Sequence, residues 1–254
     1  MGKSKETIRG MFASISSRYD LLNHILSLGF DRLWRKKTAK LILSANPTKV
    51  LDVCAGTLDL SMAIASQSGF KGTVIGADFC KEMLVLGKKK IEKERQEPEV
   101  RSQESEKSTP NPKLLTLNSN LVPVCTDTLY LPFKDNSFDV ITSAFGIRNI
   151  EALKDALSEM RRVIKDKGRA VILEFYKPKS TFLFSLYLFY FRKILPLAGR
   201  IISRDKNAYY YLQDSVVSFL SQEEMKREME LAGFRKVSYK DLTFGVTTIH
   251  IGTK

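Results

Sequence analysis

The chain predicts an α/β fold, a doubly wound and mostly parallel sheet with helices on both faces. Three observations carry that reading. Short apolar, β-branched runs alternate with helical patterns from residue 49 to residue 174, as right-handed parallel crossovers require. The first run, Lys49-Val50-Leu51-Asp52-Val53, stops at the small-residue turn Cys54-Ala55-Gly56-Thr57, and Leu60, Ala63 and Ile64 begin a helical pattern at once. The last two runs, about 236–241 and 246–251, lie close enough in sequence to pair antiparallel. At 254 residues and 43% hydrophobic, the chain can bury one full core, so a single domain is the simplest count.

Residues 7–44 read as helices, because Ile8, Met11, Phe12 and Ile15, then Tyr19, Leu22 and Leu26, then Leu33 and Trp34 recur at helical spacing. Residues 1–46 form an expected helical lid. Inside it, Arg18-Tyr19-Asp20-Leu21-Leu22-Asn23 interrupts the apolar pattern. Either Asp20 caps a helix boundary or the stretch lends polar groups to a pocket, and on spacing alone the cap is the simpler reading. A helix over about 59–67 follows the first strand. A second strand, 73–78, ends in Asp78, and a helix runs from near Lys81 through Ile91. Residues 93–120 are charged and rich in Ser, Pro and Asn, which predicts an exposed, partly disordered insertion with room for a short strand at 114–117.

A third strand over 121–126 ends at Asp127-Thr128. A turn rich in breakers, Leu131 to Asp139, leads to the fourth strand, 140–144, and then to Phe145-Gly146-Ile147-Arg148-Asn149. An amphipathic helix over 151–164 and a fifth strand over 169–174 complete the alternation. Residues 176–220 break it. Phe182 to Phe191 is dense in aromatics and bracketed by Lys177, Lys179, Arg192 and Lys193. It is too short to span a bilayer, and reads as a buried helix or as an apolar patch facing a membrane or a lipidic substrate. A last helix over 222–232 stops at Gly233.

Net charge is +13, which calls for an anionic partner such as nucleic acid or an anionic membrane surface. Residues 1–46 hold nine Lys/Arg against three acids, and residues 176–206 hold seven against Asp205 alone. A charge run is ordinarily a solvated face; that reading weakens where the charges flank aromatics. Cys54, Cys80 and Cys125 are far apart, beside strands and without CxxC spacing, so they read as buried small residues in a reducing compartment. With only His24 and His250 available, no metal site is expected. No apolar run is long enough to cross a bilayer and no signal-peptide core opens the chain, so the expectation is a cytoplasmic enzyme.

A strand, a tight glycine turn and a helix start offer backbone N–H groups and a positive helix terminus to a ligand. Asp78 ends the second strand 22 residues past Gly56, where ribose hydroxyls of a nucleotide-type ligand would be held. Asp52-x-x-x-Gly56-Thr57-x-Asp59 followed by Asp78 resembles the S-adenosylmethionine site of class I methyltransferases. Further blocks resemble the ubiquinone/menaquinone biosynthesis C-methyltransferase family: Arg18-Tyr19-Asp20-Leu21-Leu22-Asn23, Leu26-Ser27-Leu28-Gly29, Arg32-Leu33-Trp34-Arg35, Leu131-Pro132-Phe133 through Ser137-Phe138-Asp139, Phe145-Gly146-Ile147-Arg148-Asn149, and Tyr209 through Leu212. They cover nearly the whole chain outside 93–120.

The resemblance implies a Rossmann-like class I methyltransferase with a seven-stranded, mostly parallel sheet ending in an antiparallel pair. It implies S-adenosyl-L-methionine as cofactor, with Thr57 and the backbone after Gly56 at the methionine part, Asp52 among the cofactor-binding residues, Asp78 at the ribose, Asp127 and Thr128 beside the adenine, and Ser143 lining the site. The family usually has Gly at position 58, where this chain has Leu, which does not favour the positive φ that a second glycine allows. The implied reaction is C-methylation of a reduced prenylated quinone, with demethylmenaquinol the leading acceptor and a benzoquinol precursor of ubiquinone the alternative. Arg148 would stabilise a developing oxyanion, and Tyr19 and Asp59 would orient the acceptor or take its proton. A prenyl tail suits peripheral contact with the inner face of an anionic membrane through 176–206. A homodimer stays open, and no nucleic acid is expected. An RNA methyltransferase would carry Asn/Asp-Pro-Pro-aromatic after the fourth strand, where this chain has Ala144-Phe145-Gly146-Ile147. An O-methyltransferase with a His base lacks a histidine near the fourth and fifth strands.

Overall fold

The computed structural model describes residues 5–104, 120–178, 211 and 214–254. Seven strands form one sheet in the order β3-β2-β1-β4-β5-β7-β6. The strands are β1 (Lys49–Val53), β2 (Thr73–Asp78), β3 (Asn120–Cys125), β4 (Phe138–Ala144), β5 (Ile164–Phe175), β6 (Arg235–Leu242) and β7 (Thr247–Thr253). The first five pair in parallel, and β7 runs antiparallel between β5 and β6. The expected sheet and its antiparallel end are both present. The strand order reverses at β1/β4, the switch point beside which open α/β sheets bind ligands.

Successive residues of the central strands point to opposite faces, which makes two cores. Val50, Val140 and Val171 pack under α2 (Phe30–Leu43) and α3 (Asp59–Ala65), against Ile42, Leu60 and Ile64. Leu51, Ile141 and Ile172 pack on the other face under α5 (Leu153–Val163) and α6 (Gln222–Leu231), against Leu157, Met160, Met225 and Met229. Pro123 is tolerated because β3 lies at an edge of the sheet. At the opposite end, Asp139 accepts from the N–H groups of Thr48 and Lys49 at 2.9 Å each and from Lys165 at 2.7 Å, fastening the starts of β1, β4 and β5. Those partners hold its carboxyl well below the usual carboxylate range. Helix α6 starts on a capping box, Ser221 with Glu224.

Three expectations change. Asp20 is not a cap: α1 spans Lys5–Leu26 without a boundary there, and the acid lies mid-helix. Helix α4 runs from Lys81 to Glu104, so the charged stretch expected to be irregular from 93 begins as a helix; Lys and Glu are good helix formers without an apolar face. Residue Cys125, read as buried, is exposed at the end of β3. The short strand considered at 114–117, the aromatic run 182–191 and most of the insertion at 176–220 lie outside the described residues, as do Tyr209 and Leu212. Among the described residues, no helix is long and apolar enough to cross a membrane.

Candidate functional site

The turns after β1, β2, β3 and β4 meet at the carboxyl end of the sheet, and a cavity of about 250 Å³ opens among them. Gly56 and Cys54 come from the first turn, Asp78 and Phe79 from the second, Asp127 and Thr128 from the third, and Phe145 and Gly146 from the fourth. Ile8 and Phe12 of α1 add an apolar wall to it.

The turn after β1 is tied to β2. The Gly56 N–H donates to one Asp78 carboxylate oxygen at 2.8 Å, and the Cys80 N–H donates to the other at 2.8 Å. A carboxylate oxygen can accept more than one hydrogen bond, and Asp78 lines the cavity. Burial raises the Asp78 pKa against the opposing pull of these N–H groups. Cys54 and Phe145, which follow β1 and β4, have φ of 52° and 61°, in the left-handed region. Their turns touch: a Cβ added to Gly146 would stand 2.3 Å from the Cys54 Cβ. Glycine at 146 is therefore required by the approach of two backbones. Burial and the neighbouring Asp78 push the Cys54 thiol up to about 12, so it stays neutral.

Leu58 also adopts the left-handed conformation, φ 68°, at the start of α3. The turn forms with it in place, and its side chain is fully buried. Glycines elsewhere make the space: a Cβ on Gly76 would lie 2.3 Å from one Leu58 methyl, and a Cβ on Gly87 would lie 2.7 Å from the other.

A second, small polar cavity lies beneath the glycine turn, bordered by Arg35, Asp52, Thr57 and Asp59. Asp52 takes a 2.6 Å hydrogen bond from Ser61 on Oδ2, while its buried Oδ1 has no hydrogen-bond partner among the described residues. Burial raises its pKa to about 7. Thr57 Oγ1 donates to Asp20 at 2.5 Å, so the Arg18–Asn23 stretch reaches the glycine turn through Asp20. Lys90 of α4 joins this group. Its ammonium donates to Asp20 and Thr57 and to the Asp59 carboxylate, which Arg35 approaches at 3.6 Å. Arg35 pairs in turn with Asp31, which His24 contacts at 2.8 Å.

Of the expected residues, Gly56, Asp78, Asp127 and Thr128 line the main cavity, and Asp52, Gly56, Thr57 and Asp59 line the polar one. Tyr19 is on α1, one residue before Asp20, with its side chain outside the described set. Ser143 is fully buried within β4 and borders neither cavity; Phe145 and Gly146, past the end of the strand, form that wall. Arg148 lies behind the wall. Its guanidinium donates to Glu174 at 2.6 Å and to the Phe145 carbonyl at 2.5 Å, and it is 4% exposed. The next residue, Asn149, lines the cavity and accepts from the Tyr211 hydroxyl at 2.9 Å. His250 is buried against Tyr176 and the Gln222 carbonyl, and burial lowers its pKa to about 4. No cluster of His, Cys, Asp and Glu among the described residues could hold a metal ion.

Sequence reasoning missed Lys90, Arg35 and Glu174. Lys90 ends the run Lys88-Lys89-Lys90, which reads as a solvated face. The acid opposite Arg148 is on β5, a neighbour only once the sheet is assembled.

The sequence matches the ubiE/COQ5 methyltransferase family over residues 1–254. It is 41% identical over 249 residues to the ubiquinone/menaquinone biosynthesis C-methyltransferase UbiE of Geotalea uraniireducens, covering 98% of this chain and 97% of that one. It is 36% identical over 250 residues to the demethylmenaquinone methyltransferase of Staphylococcus carnosus, covering 98% and 94%. Among solved structures, an S-adenosylmethionine-dependent methyltransferase of Thermotoga maritima, described as a possible histamine N-methyltransferase, superposes with a TM-score of 0.60 at 17% identity over 96% of this chain and 98% of that one. That likeness concerns the fold.

Proposed function

The chain belongs to the ubiE/COQ5 methyltransferase family, whose members make it an S-adenosylmethionine-dependent C-methyltransferase of quinone biosynthesis, and we propose that its acceptor is demethylmenaquinol. The observation that supports a quinol is the main cavity itself. Beyond the polar groups at the strand ends, which are left to the cofactor, the same space continues to an apolar wall of Ile8, Phe12 and Ile150, and that wall suits an aromatic ring with an apolar tail. Some relatives are named for demethylmenaquinone alone and others for both quinones, so the naphthoquinol is the acceptor that both names share.

The residues fit the cofactor by the chemistry of their donor sets. Asp78 keeps acceptor capacity for ribose hydroxyls, and Asp127 and Thr128 stand beside it for the adenine. The orphaned Oδ1 of Asp52, in the polar cavity with Gly56 and Thr57, suits the ammonium of an amino acid end, and Arg35 its carboxylate. When bound, the cofactor supplies an electrophilic methyl group on a sulfonium.

The protein's work is then orientation and one proton. Ionising a ring hydroxyl raises electron density at the neighbouring ring carbon, which attacks, and the C–H proton on that carbon leaves afterwards. Tyr19 on α1 and Asp59 at the start of α3 orient the ring or take that proton. The guanidinium of Arg148 is engaged by Glu174, so we assign it to holding the Phe145–Asn149 wall and, through that wall, the acceptor's position. We further propose that the enzyme meets its prenylated substrate at the cytoplasmic face of an anionic membrane, in keeping with its net charge of +13.

The test is one competition assay. Labelled S-adenosylmethionine is offered with reduced demethylmenaquinone, the demethylated benzoquinol precursor and bulk RNA, and label is counted in separated lipids and in RNA. Label in the naphthoquinol is expected. Label in the benzoquinol moves the acceptor, and label in RNA or nowhere overturns the reading.

A further inference from the structure

We propose that the corner where α1 meets α2, together with the tight turn between β6 and β7, docks the protein on an anionic lipid bilayer. The proposal rests on the reading that the acceptor is drawn from a membrane, and it names the surface. Four large apolar side chains stand out here. Phe244 is 80% exposed and Leu28 69%, and Phe30 and Leu33 are exposed beside them. They belong to one surface. The Trp34 indole N–H donates to the Thr243 hydroxyl at 2.9 Å across 209 residues of sequence, and the Phe30 ring stacks on Trp34 at 6.1 Å.

Both tips are built from strained backbone. Leu28 and Gly29 have φ of 51° and 78°, and Thr243 and Phe244 have 45° and 57°. A β-branched and an aromatic residue in succession in the left-handed region are unfavourable, and that arrangement points an aromatic ring into water. Insertion into a lipid interface would remove the cost of the exposed ring.

Charge says what covers the patch. Helix α2 carries Arg32, Arg35, Lys36, Lys37 and Lys40 against Asp31, and Asp31 is buried against Arg35. Phe30, Leu33, Lys37 and Lys40 recur three or four residues apart and so share the exposed face. Apolar side chains interleaved with lysines are the composition of a helix lying in a lipid interface, whereas the cores of protein interfaces are depleted of lysine. Lys177 and Lys240 are exposed as well. The Phe175 ring at the end of β5 packs on Trp34 at 5.8 Å, behind this surface.

The full chain is sedimented with vesicles of phosphatidylcholine, with and without phosphatidylglycerol, at low and high salt. Binding to the anionic vesicles that weakens with salt is expected. The double variant Leu28→Asn with Phe244→Asn keeps residues that accept left-handed backbone, and it should lose about tenfold or more of that affinity. Lys37→Glu with Lys40→Glu should weaken binding from the same face without touching either turn. Both variants should methylate a short-tailed, water-soluble quinol at the wild-type rate. Absent vesicle binding, equal binding to neutral vesicles, or full affinity in both variants overturns the surface. Failure to methylate any quinol would instead overturn the reading beneath it.

Discussion

The Lys90 ammonium donates to the Asp20 carboxylate across 2.8 Å, tying the N-terminal helix to α4 directly over the glycine turn. Thr57 of the turn is 3.0 Å from the same ammonium, and Asp59 completes its shell. One ammonium therefore joins α1, α4 and the glycine turn. Lys90→Ala should raise the Kd for S-adenosylmethionine roughly tenfold while leaving kcat at saturating cofactor nearly unchanged. The pairs are about one-third exposed, so each contributes about 0.2–1 kcal/mol and only their sum reaches that factor. Lys90→Arg should recover most of it. Calorimetric titration decides: unchanged affinity with a lowered Tm would reduce Lys90 to a structural role.

Asp52 links cofactor binding to pH. Its buried carboxyl has a pKa of about 7 against an ordinary 3.8, because burial disfavours the charged form more than Ser61 and Arg35 favour it. A raised folded-state pKa gives stability that is complete below the unfolded value and is lost as pH climbs through the folded one. The window is therefore about pH 4 to 7, and the loss is roughly 2–4 kcal/mol. Asp52→Asn should remove that slope, so the variant gains Tm over wild type at pH 8 and matches it near pH 4. If Oδ1 receives the cofactor's ammonium, the same variant binds S-adenosylmethionine more weakly at pH 8 despite being more stable. Melting curves at the two pH values, with and without cofactor, separate the effects.

Leu58 and Gly76 form a packing pair that a double-mutant cycle can expose. Gly76→Ala drives a methyl to 2.3 Å from a Leu58 methyl and should cost about 2–3 kcal/mol or more. Leu58→Gly relieves a left-handed leucine, worth about 1 kcal/mol, but empties a buried site, worth about 2–5 kcal/mol, so it too destabilises. Together they should be milder than their sum, because the alanine methyl enters space the leucine vacated. Additive denaturation free energies would mean that Gly76 is glycine for some other reason.

The sheet was legible because its signals are local. Val50 to Val53, Thr73 to Asp78 and the hairpin at the end each show the apolar run and breaker that make a strand, and β1 and β2 fall on the expected residues. The pocket followed from Gly56 and Asp78, since a parallel sheet brings strand ends together whatever the helices do. Groups whose partner depends on assembly were not legible. Arg148 was expected to face substrate, but β5 sets Glu174 against it; Lys90 resembled any surface lysine until α1 lay across α4. Leu58 was expected to disturb the turn, and whether it does depends on two glycines, 18 and 29 residues further on, that leave room for it.

The Arg148–Glu174 pair gives the sharpest test of how the acceptor is positioned. Both groups are buried, at 4% and 0% side-chain exposure, and Glu174 also accepts from the Arg148 backbone N–H at 3.2 Å. Removing one partner strands a charge in the interior, so Glu174→Ala should cost about 3–5 kcal/mol. Replacing both, as Arg148→Met with Glu174→Leu, should recover most of that stability, since well-packed apolar residues often substitute for a buried pair. Activity then separates the roles. If Arg148 only holds the Phe145–Asn149 wall, the double variant keeps cofactor affinity and the wild-type pH profile, and kcat falls by about tenfold. If it stabilises charge on the reacting ring, kcat falls by about 10²–10³ in both Arg148→Met and the double variant, and the profile shifts. The geometry, with the guanidinium held by Glu174 and the Phe145 carbonyl, favours the first outcome.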